Sequence, residues 1–288
     1  MFASFSRSWK FAKMSYAMIW LNKRLLIFPL VSTFAAILVT ISFFVPLWSA
    51  GLLERWAAAM GENAENPDDV LMYGLAFLFY FCNYFVIVFF NTGLLACVLK
   101  IVRGEEAPVS HGFAFAGKRL PQIFGWALVS AVVGVILKAV EQNKKAGRFL
   151  SAILGSAWTA LTYFVIPVIT VEGLGPIQAF KRSSGILRET WGTALTGNIS
   201  LGIISFLTML PVLAIGGLLI FLGLTSETLA VTISLIGLAI FLVLLASAAS
   251  SAAGMVFKSY LYSYATGNTL PANIDRAEFS DAFRPSAE

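Results

Sequence analysis

The amino-acid sequence predicts an all-α integral membrane protein whose six transmembrane helices form three hairpins. Six stretches between residues 25 and 257 contain no Lys, Arg, Asp, Glu or His, and they are 18 to 37 residues long. An α-helix needs roughly 20 apolar residues to cross a hydrocarbon core about 30 Å thick. Charged residues make up 12% of the chain, whereas soluble domains carry about 25%. The stretches are 25–53, 70–99, 120–137, 149–171, 190–226 and 228–257.

The first two stretches both read as spanning helices. The first follows a basic segment, as a signal peptide would, but its 29 residues exceed the apolar core of about 7–15 residues in a secretory signal. We therefore expect an uncleaved signal anchor. The second follows an acidic loop that ends in Asn66-Pro67-Asp68-Asp69, a good start for a helix.

The lengths of the third and fifth stretches bear on whether each one crosses the membrane as a single straight helix. The third has 18 residues, which leaves open that the third and fourth stretches re-enter the membrane from one side instead of crossing it. The fifth has 37 residues and would be about 55 Å long as one helix. We expect a break in it at Pro211, which removes a helical hydrogen bond. Residues 225–227 join the last two stretches tightly, which predicts an antiparallel pair.

The distribution of Lys and Arg predicts the orientation. With the amino terminus inside, fifteen of the twenty Lys and Arg residues fall on the cytoplasmic side, while the acidic residues divide eight to seven. Orientation follows positive charge rather than net charge, so both termini are expected in the cytoplasm. Segment 138–148 disagrees, because it places four basic residues outside. A re-entrant third and fourth stretch would return this segment to the inside.

A weak internal repeat precedes the first, third and fifth stretches. Each copy has bulky apolar residues at steps of three and four with basic residues between them, which is typical of an amphipathic helix in the headgroup plane. The alternative is a cytoplasmic extension of the next span that packs on its neighbours. Together with the six stretches, the first copy predicts three regions. They are a cytoplasmic amphipathic helix over 1–24, a six-span region over 25–257 and a cytoplasmic tail over 258–288.

The first and third copies supply the predicted surface for lipid or a protein partner. Lys and Arg side chains attract anionic headgroups, and Trp favours the membrane interface. The candidates are Arg7, Trp9, Lys10, Lys13, Lys181, Arg182, Arg188 and Trp191.

Polar residues inside the stretches carry the alternative function, a passive channel or small-solute carrier. Asn83 and Asn91 are eight residues apart and share a helix face, and residues 246–254 are all Ala, Ser or Gly. Such residues bond and pack helices together more often than they line a path. The absence of charge from the stretches weighs against ion-coupled transport. The candidate lining residues are Asn83, Asn91, Asn198, Ser247, Ser250 and Ser251.

Catalytic, cofactor and metal sites are not expected. The sequence contains no GxSxG, HExxH or phosphate-loop motif. The single histidine, His111, is expected in a connection without a partner ligand nearby. Cys82 and Cys97 lie 15 residues apart, about 22 Å along one helix, which is too far for a disulfide. The basic residues do not gather into one patch, so no nucleic-acid partner is expected.

Motifs at the two ends of the chain carry a resemblance. The opening reads FSRSWK at 5–10 and KRLLIFPL at 23–30, and the close reads YSYATG at 262–267. Over essentially the whole chain, the sequence resembles a family of bacterial multi-pass membrane proteins classified only as a domain of unknown function. This resemblance implies a bacterial cytoplasmic membrane and transfers no activity. A single repeat unit is similar to the membrane region of some glycerophosphodiester phosphodiesterases, whose catalytic barrel has no counterpart in this sequence.

The predicted function is a non-enzymatic structural or interaction role in the bacterial inner membrane, which includes lipid-associated scaffolding. The expected partners are membrane lipids, above all anionic headgroups at the cytoplasmic face. A second copy of the chain and a membrane-associated protein are left open as further partners, and no cofactor is expected.

Overall fold

The computed structural model describes residues 2–51, 69–141, 147–226 and 228–268, without the side chains of 2–8, 11, 12, 69, 70, 72 and 191–201. This part of the chain is almost entirely α-helical and contains no strand. A short 3₁₀ helix, Lys23–Leu26, separates the first two α-helices. The α-helices are α1 (Phe2–Leu21), α2 (Ile27–Ser49), α3 (Asp69–Val102), α4 (Val109–Lys118), α5 (Leu120–Glu141), α6 (Gly147–Leu161), α7 (Val165–Val171), α8 (Pro176–Leu224) and α9 (Leu229–Ala265).

Six helical segments are long and apolar enough to cross a membrane, so the predicted all-α membrane fold class is confirmed. The short third stretch lies in a helix of 22 residues, which meets the length that a span needs. The arrangement as three hairpins stays a prediction. The segments are Lys23–Ser49, Tyr73–Val102, Leu120–Glu141, Gly147–Val171, Gly202–Leu224 and Leu229–Ala265.

The chain divides into two compact units. The first unit consists of Met1–Leu30, Gly93–Ala114 and Gly185–Glu288, and the second consists of Val31–Thr92 and Phe115–Ser184. The first unit therefore joins α1 to the last helix, α9. The second contains the third and fourth spans.

In the first unit, α1 packs along the carboxyl-terminal half of α9. Ser15 and Ile19 of α1 are buried, one helical turn apart on the same face. The Tyr260 hydroxyl donates to Sδ of Met18 at 3.4 Å. On α9, Phe257 is fully buried. The first helix is therefore a packed element of the fold on this side.

A second close contact in the first unit joins α3 and α4. A Cβ atom added to Gly112 would lie 2.6 Å from the Gly93 carbonyl oxygen, and one added to Gly93 would lie 2.8 Å from the Phe28 ring. Real Cβ contacts are not that short, so the two backbones approach in a way that only glycine permits. The Phe28 ring also packs on Phe113, with centroids 5.3 Å apart.

In the second unit, α5 and α6 pack against each other, and three stacked rings tie them to α8. The Ser151 hydroxyl donates to the Leu137 carbonyl oxygen at 3.0 Å. The Trp158 ring stacks between Trp126 and Phe180, at centroid distances of 5.5 and 5.6 Å. Aromatic pairs of this kind contribute about 0.5–1.5 kcal/mol beyond the area they bury.

The fourth span is interrupted between α6 and α7, and a serine from α8 binds the interruption. The Ser183 hydroxyl donates to the Leu161 carbonyl oxygen at 2.7 Å and accepts from the Phe164 N–H at 3.0 Å. Pro167 follows the interruption and has no N–H to bond the carbonyl of Tyr163, four residues earlier. Ser183 thus satisfies backbone groups that an unbroken helix would have paired internally.

The predicted break in the fifth span is not where the sequence placed it. Pro211 lies inside α8, whereas the residue with non-helical dihedral angles is Thr190 (φ −118°, ψ 16°). The break separates the segment before the span from the span itself. His111 is also placed differently from the expectation, because it lies in the first turn of α4 and not in a connection.

We define the entry helices as α1, α4 and residues 176–189 of α8. They end at Asn22, Arg119 and Thr190, where the helix is interrupted. Seven residues before each end the chain has a buried small residue, and three residues before each end it has a buried apolar residue. The small residues are Ser15, Gly112 and Ser183, and the apolar residues are Ile19, Ala116 and Leu187. The sequence repeat is thus matched by a repeated pattern of burial.

The last helix runs further than the charge-free stretch. α9 continues to Ala265, beyond Lys258, because one lysine does not interrupt a helix. Tyr260 and Tyr262, which follow this lysine, are buried. Of the predicted tail, residues 269–288 lie outside the described part of the chain.

Candidate lipid-contacting surface

The outward face of α1 carries cations beside an aromatic ring. Lys10 and Lys13 are exposed, and the Lys13 ammonium lies 5.8 Å from the centroid of the Trp9 ring. A hollow of about 350 Å³ opens on this face, and its described lining consists of Trp9, Lys10, Lys13, Met14 and Ala17. We call these five residues the α1 hollow. Three of the predicted surface residues are therefore brought together.

Beside this face, α1 is held by hydrogen bonds to two later helices. The Tyr16 hydroxyl lies 2.8 Å from Oγ of Ser205 on α8 and 2.9 Å from Oγ of Ser250 on α9. A phenol has one proton and can also accept, so it can bond both serines at once. These bonds and the burial of Ser15 and Ile19 fix which face of α1 points outward.

The third entry helix presents two exposed cations and one ion pair. Lys181 and Arg188 are exposed and form no ion pair with any described residue. The Arg182 Nε atom, in contrast, lies 3.0 Å from Oε1 of Glu172. An exposed pair of this kind contributes at most about 1 kcal/mol, but it lowers the net positive charge at Arg182. Lys181 and Arg188 are therefore the stronger anion-attracting groups.

In the middle entry helix one cation faces outward and the next is used structurally. Lys118 is exposed. Arg119 lies over the Phe115 ring at 5.6 Å and donates to the Thr170 carbonyl oxygen at 3.5 Å. Its guanidinium also covers Gly173, whose φ of +68° is in the left-handed region that favours glycine. Arg119 therefore binds the end of the fourth span.

The side chains of three predicted surface and lining residues are outside what the structure describes. The side chains of Arg7, Trp191 and Asn198 are not described, so their expected roles stay predictions.

The predicted polar lining is divided among different environments. The Asn83 amide donates to the Phe79 carbonyl oxygen of its own helix at 2.9 Å, and Asn91 is half-buried. Both lie in the second unit, whereas the serines of α9 lie in the first. Ser250 is occupied by Tyr16, and Ser247 and Ser251 are exposed on α9. Nothing in these positions favours a solute path over helix packing.

No three His, Cys, Asp or Glu side chains of the described residues come together as metal ligands would. The expectation of a protein without metal, cofactor or catalytic site stays a prediction.

A known protein family matches most of the chain. The family of unknown function DUF6159 matches residues 70–270. The chain belongs to this family. The match includes five of the six candidate spans and the YSYATG motif, but not the FSRSWK motif of α1. No curated protein and no solved structure matches the chain.

Two aspects of this surface were not predicted from the sequence. They are the two hydrogen bonds of the Tyr16 hydroxyl and the contribution of Met14 and Ala17 to the hollow. A signal was available, because Lys10, Lys13, Met14 and Ala17 follow steps of three and four and so share one face of α1. The partner serines of Tyr16 could not be found in this way, since they are 189 and 234 residues away in the chain.

Proposed function

We propose that this protein is a non-enzymatic scaffold of the bacterial inner membrane, with both termini in the cytoplasm. Its entry helices would bind anionic lipid around the spans. The charged surface that these helices form would also bind a membrane-associated protein or a second copy of the chain. One observation carries the proposal. The entry helices pack through one face and present exposed Lys and Arg through another, as Lys13 does opposite the buried Ser15.

The physical basis is electrostatic attraction at a low-dielectric boundary. Each Lys or Arg near an anionic membrane surface contributes about 1 kcal/mol, and several of them act together. The attraction should weaken as salt concentration rises, because exposed charges are screened over about 10 Å at 0.1 M.

The test measures which lipids surround the protein. The full chain is extracted into polymer-bounded discs from a membrane that contains anionic and zwitterionic phospholipids, and the lipid ratio in the discs is compared with that of the whole membrane. We expect enrichment of anionic lipid around the wild type. A variant with Lys10, Lys13, Lys181 and Arg188 replaced by Gln should lose most of it.

The control removes one cation from the other end of a span. Lys138 pairs with Glu141 at 3.2 Å, so Lys138→Gln should leave the enrichment unchanged. An anionic share equal to that of the whole membrane, or one that the four substitutions do not lower, would refute the proposal. The mass of the polymer-bounded disc, measured on the same sample, shows whether it contains a second copy of the chain or another protein.

A further inference from the structure

We propose that residues 275–283 of this chain dock on the corner where α1 leads into α2. We define the basic corner as Trp20, Leu21, Lys23 and Arg24. The inference goes beyond the proposed function and does not depend on it, because Lys23 and Arg24 follow the first entry helix and are not part of its charged surface. The consequence is regulatory, since the docked segment excludes lipids and other proteins from the corner.

The basic corner combines large exposed apolar side chains with two exposed cations. Trp20 and Leu21 are 59% and 84% exposed. Lys23 and Arg24 are exposed as well, and they take part in none of the ion pairs between described residues. Exposed apolar side chains that are bordered by polar groups are typical of an interaction site.

The segment after the last helix has the complementary composition. Residues 269–288 contain four acidic residues and two arginines, whereas the whole chain has a net charge of +5. Within 275–283, three carboxylates can pair with the cations of the corner, and Phe279 and Phe283 can cover its apolar side chains. Anionic headgroups repel an acidic segment, so the protein's own cations suit it better than the membrane surface. The three acidic residues are Asp275, Glu278 and Asp281.

The end of α9 turns the chain before the acidic segment begins. α9 ends at Ala265, and Gly267 has a φ of +74°. A left-handed residue after a helix ends it, and a proline soon afterwards cannot continue it. Pro271 is that proline. The chain therefore leaves the axis of α9 where the helix is still packed on α1.

The basic corner lies within reach of that end. The Tyr260 hydroxyl is 3.4 Å from Sδ of Met18, and the 3₁₀ helix that begins at Lys23 also contacts α9. Lys23 follows Met18 by five residues and Asn268 follows Tyr260 by eight, which is about 8 and 12 Å of helix. The eleven residues from Asn268 to Phe279 can extend over roughly 36 Å. The segment can thus reach the corner while the described helices stay in place.

The experiment measures disulfide formation between the segment and the corner. It uses the full-length protein in neutral detergent, with Cys82 and Cys97 replaced by Ala. Ile27→Cys, one turn after Arg24, is paired with Ala282→Cys, so that all four side chains of the corner are kept. After addition of a mild oxidant, we expect rapid formation of a disulfide within one chain. Mass spectrometry of the linked peptides and the mass of the oxidised protein identify it.

Two matched pairs of substitutions test whether the basic corner is the docking site. Lys23→Gln with Arg24→Gln should slow the disulfide roughly threefold to tenfold, because two exposed ion pairs are lost. Lys10→Gln with Lys13→Gln removes the same number of cations from the same end of the chain and should leave the rate unchanged. Equal slowing by the two pairs, or no disulfide in the parent protein, would refute docking on the corner. A disulfide only between two chains would refute docking within one chain.

An exchange of charges tests the pairing itself. Lys23→Glu with Arg24→Glu should slow the disulfide further than the neutral pair does. Adding Asp275→Lys with Glu278→Lys to that variant should restore most of the rate, and failure to restore it would refute the charge pairing. The melting temperature of each variant shows that it is folded. These measurements use no anionic lipid, so their outcome is separate from that of the proposed function.

Discussion

The two halves of α9 have different surroundings. In the amino-terminal half, Leu229, Ile233 and Phe241 are 74%, 63% and 57% exposed. In the carboxyl-terminal half, Ala252, Phe257 and Leu261 are completely buried. The first unit is therefore packed where α1 lies on α9, and open along the amino-terminal half of α9.

This difference shows what decides packing in a membrane. Apolar side chains gain little by leaving lipid for each other, so close contact depends on small residues and on hydrogen bonds between helices. The carboxyl-terminal half of α9 has Ala248, Ala252 and Ala253 at buried positions, and Tyr16 bonds to Ser250 in this half. The amino-terminal half has bulky side chains that lipid can cover.

The largest expected effect contrasts two phenylalanines on α9. Phe257→Ala should destabilise the protein by about 3 kcal/mol, because it leaves a cavity in a packed core. Phe241→Ala should cost less than about 0.5 kcal/mol, as lipid fills the space that the exposed ring leaves. Thermal or denaturant unfolding in detergent measures both. Equal losses would contradict the distinction between the two halves.

A smaller effect is expected for a hydrogen-bonding serine in the second unit. It tests whether hydrogen bonds between helices stabilise that unit as well. Ser183→Ala should cost about 1–3 kcal/mol, because the Phe164 N–H and the Leu161 carbonyl each lose a hydrogen bond in a buried position. The adjacent Ser184→Ala is the control, since the Ser184 hydroxyl donates only to the Lys181 carbonyl of its own helix. The same unfolding assay applies. A Ser184 variant as unstable as the Ser183 variant would rule out the proposed role of Ser183.

The smallest effect concerns the hydroxyl that ties α1 to α8 and α9. Tyr16→Phe should cost about 1 kcal/mol, because each interhelical hydrogen bond in a membrane contributes about 0.6 kcal/mol on average. A double-mutant cycle with Ser250→Ala should show a coupling of about that size. Ser251→Ala, at an exposed position, should not couple with Tyr16. Strict additivity between Tyr16 and Ser250 would show that the bond does not stabilise the protein.

The sequence was sufficient for the spans and insufficient for the contacts between them. Six charge-free stretches correctly indicated six apolar helices, because lipid excludes charge. The same criterion ended the last stretch at Phe257, although α9 continues through Lys258 to Ala265. Pro211 misled, because it lies inside α8 and the residue with non-helical dihedral angles is Thr190.

Among the candidate surface residues, the sequence likewise predicted exposure better than contacts. Basic residues beside apolar ones pointed to the outward face of α1, where Lys10 and Lys13 are exposed. Arg182 and Arg119 look equivalent in the sequence, yet they bind Glu172 and the Thr170 carbonyl. Thr170 is 51 residues from Arg119 in the chain, and no local pattern reveals such a contact. Glu172 is only ten residues from Arg182, but it lies beyond the turn that precedes α8, so helical spacing does not reveal that pair either.

The central claim is that six helices cross the membrane and leave the entry helices on the cytoplasmic side. Its most direct test is labelling of single cysteines by an impermeant maleimide, in a chain with Cys82 and Cys97 replaced by Ala. In intact spheroplasts, the reagent should label Ser226→Cys and Lys144→Cys, and it should label Lys13→Cys only after lysis. Labelling of Lys144→Cys only after lysis would make the third and fourth stretches re-entrant. Labelling of Lys13→Cys in intact spheroplasts would contradict the account.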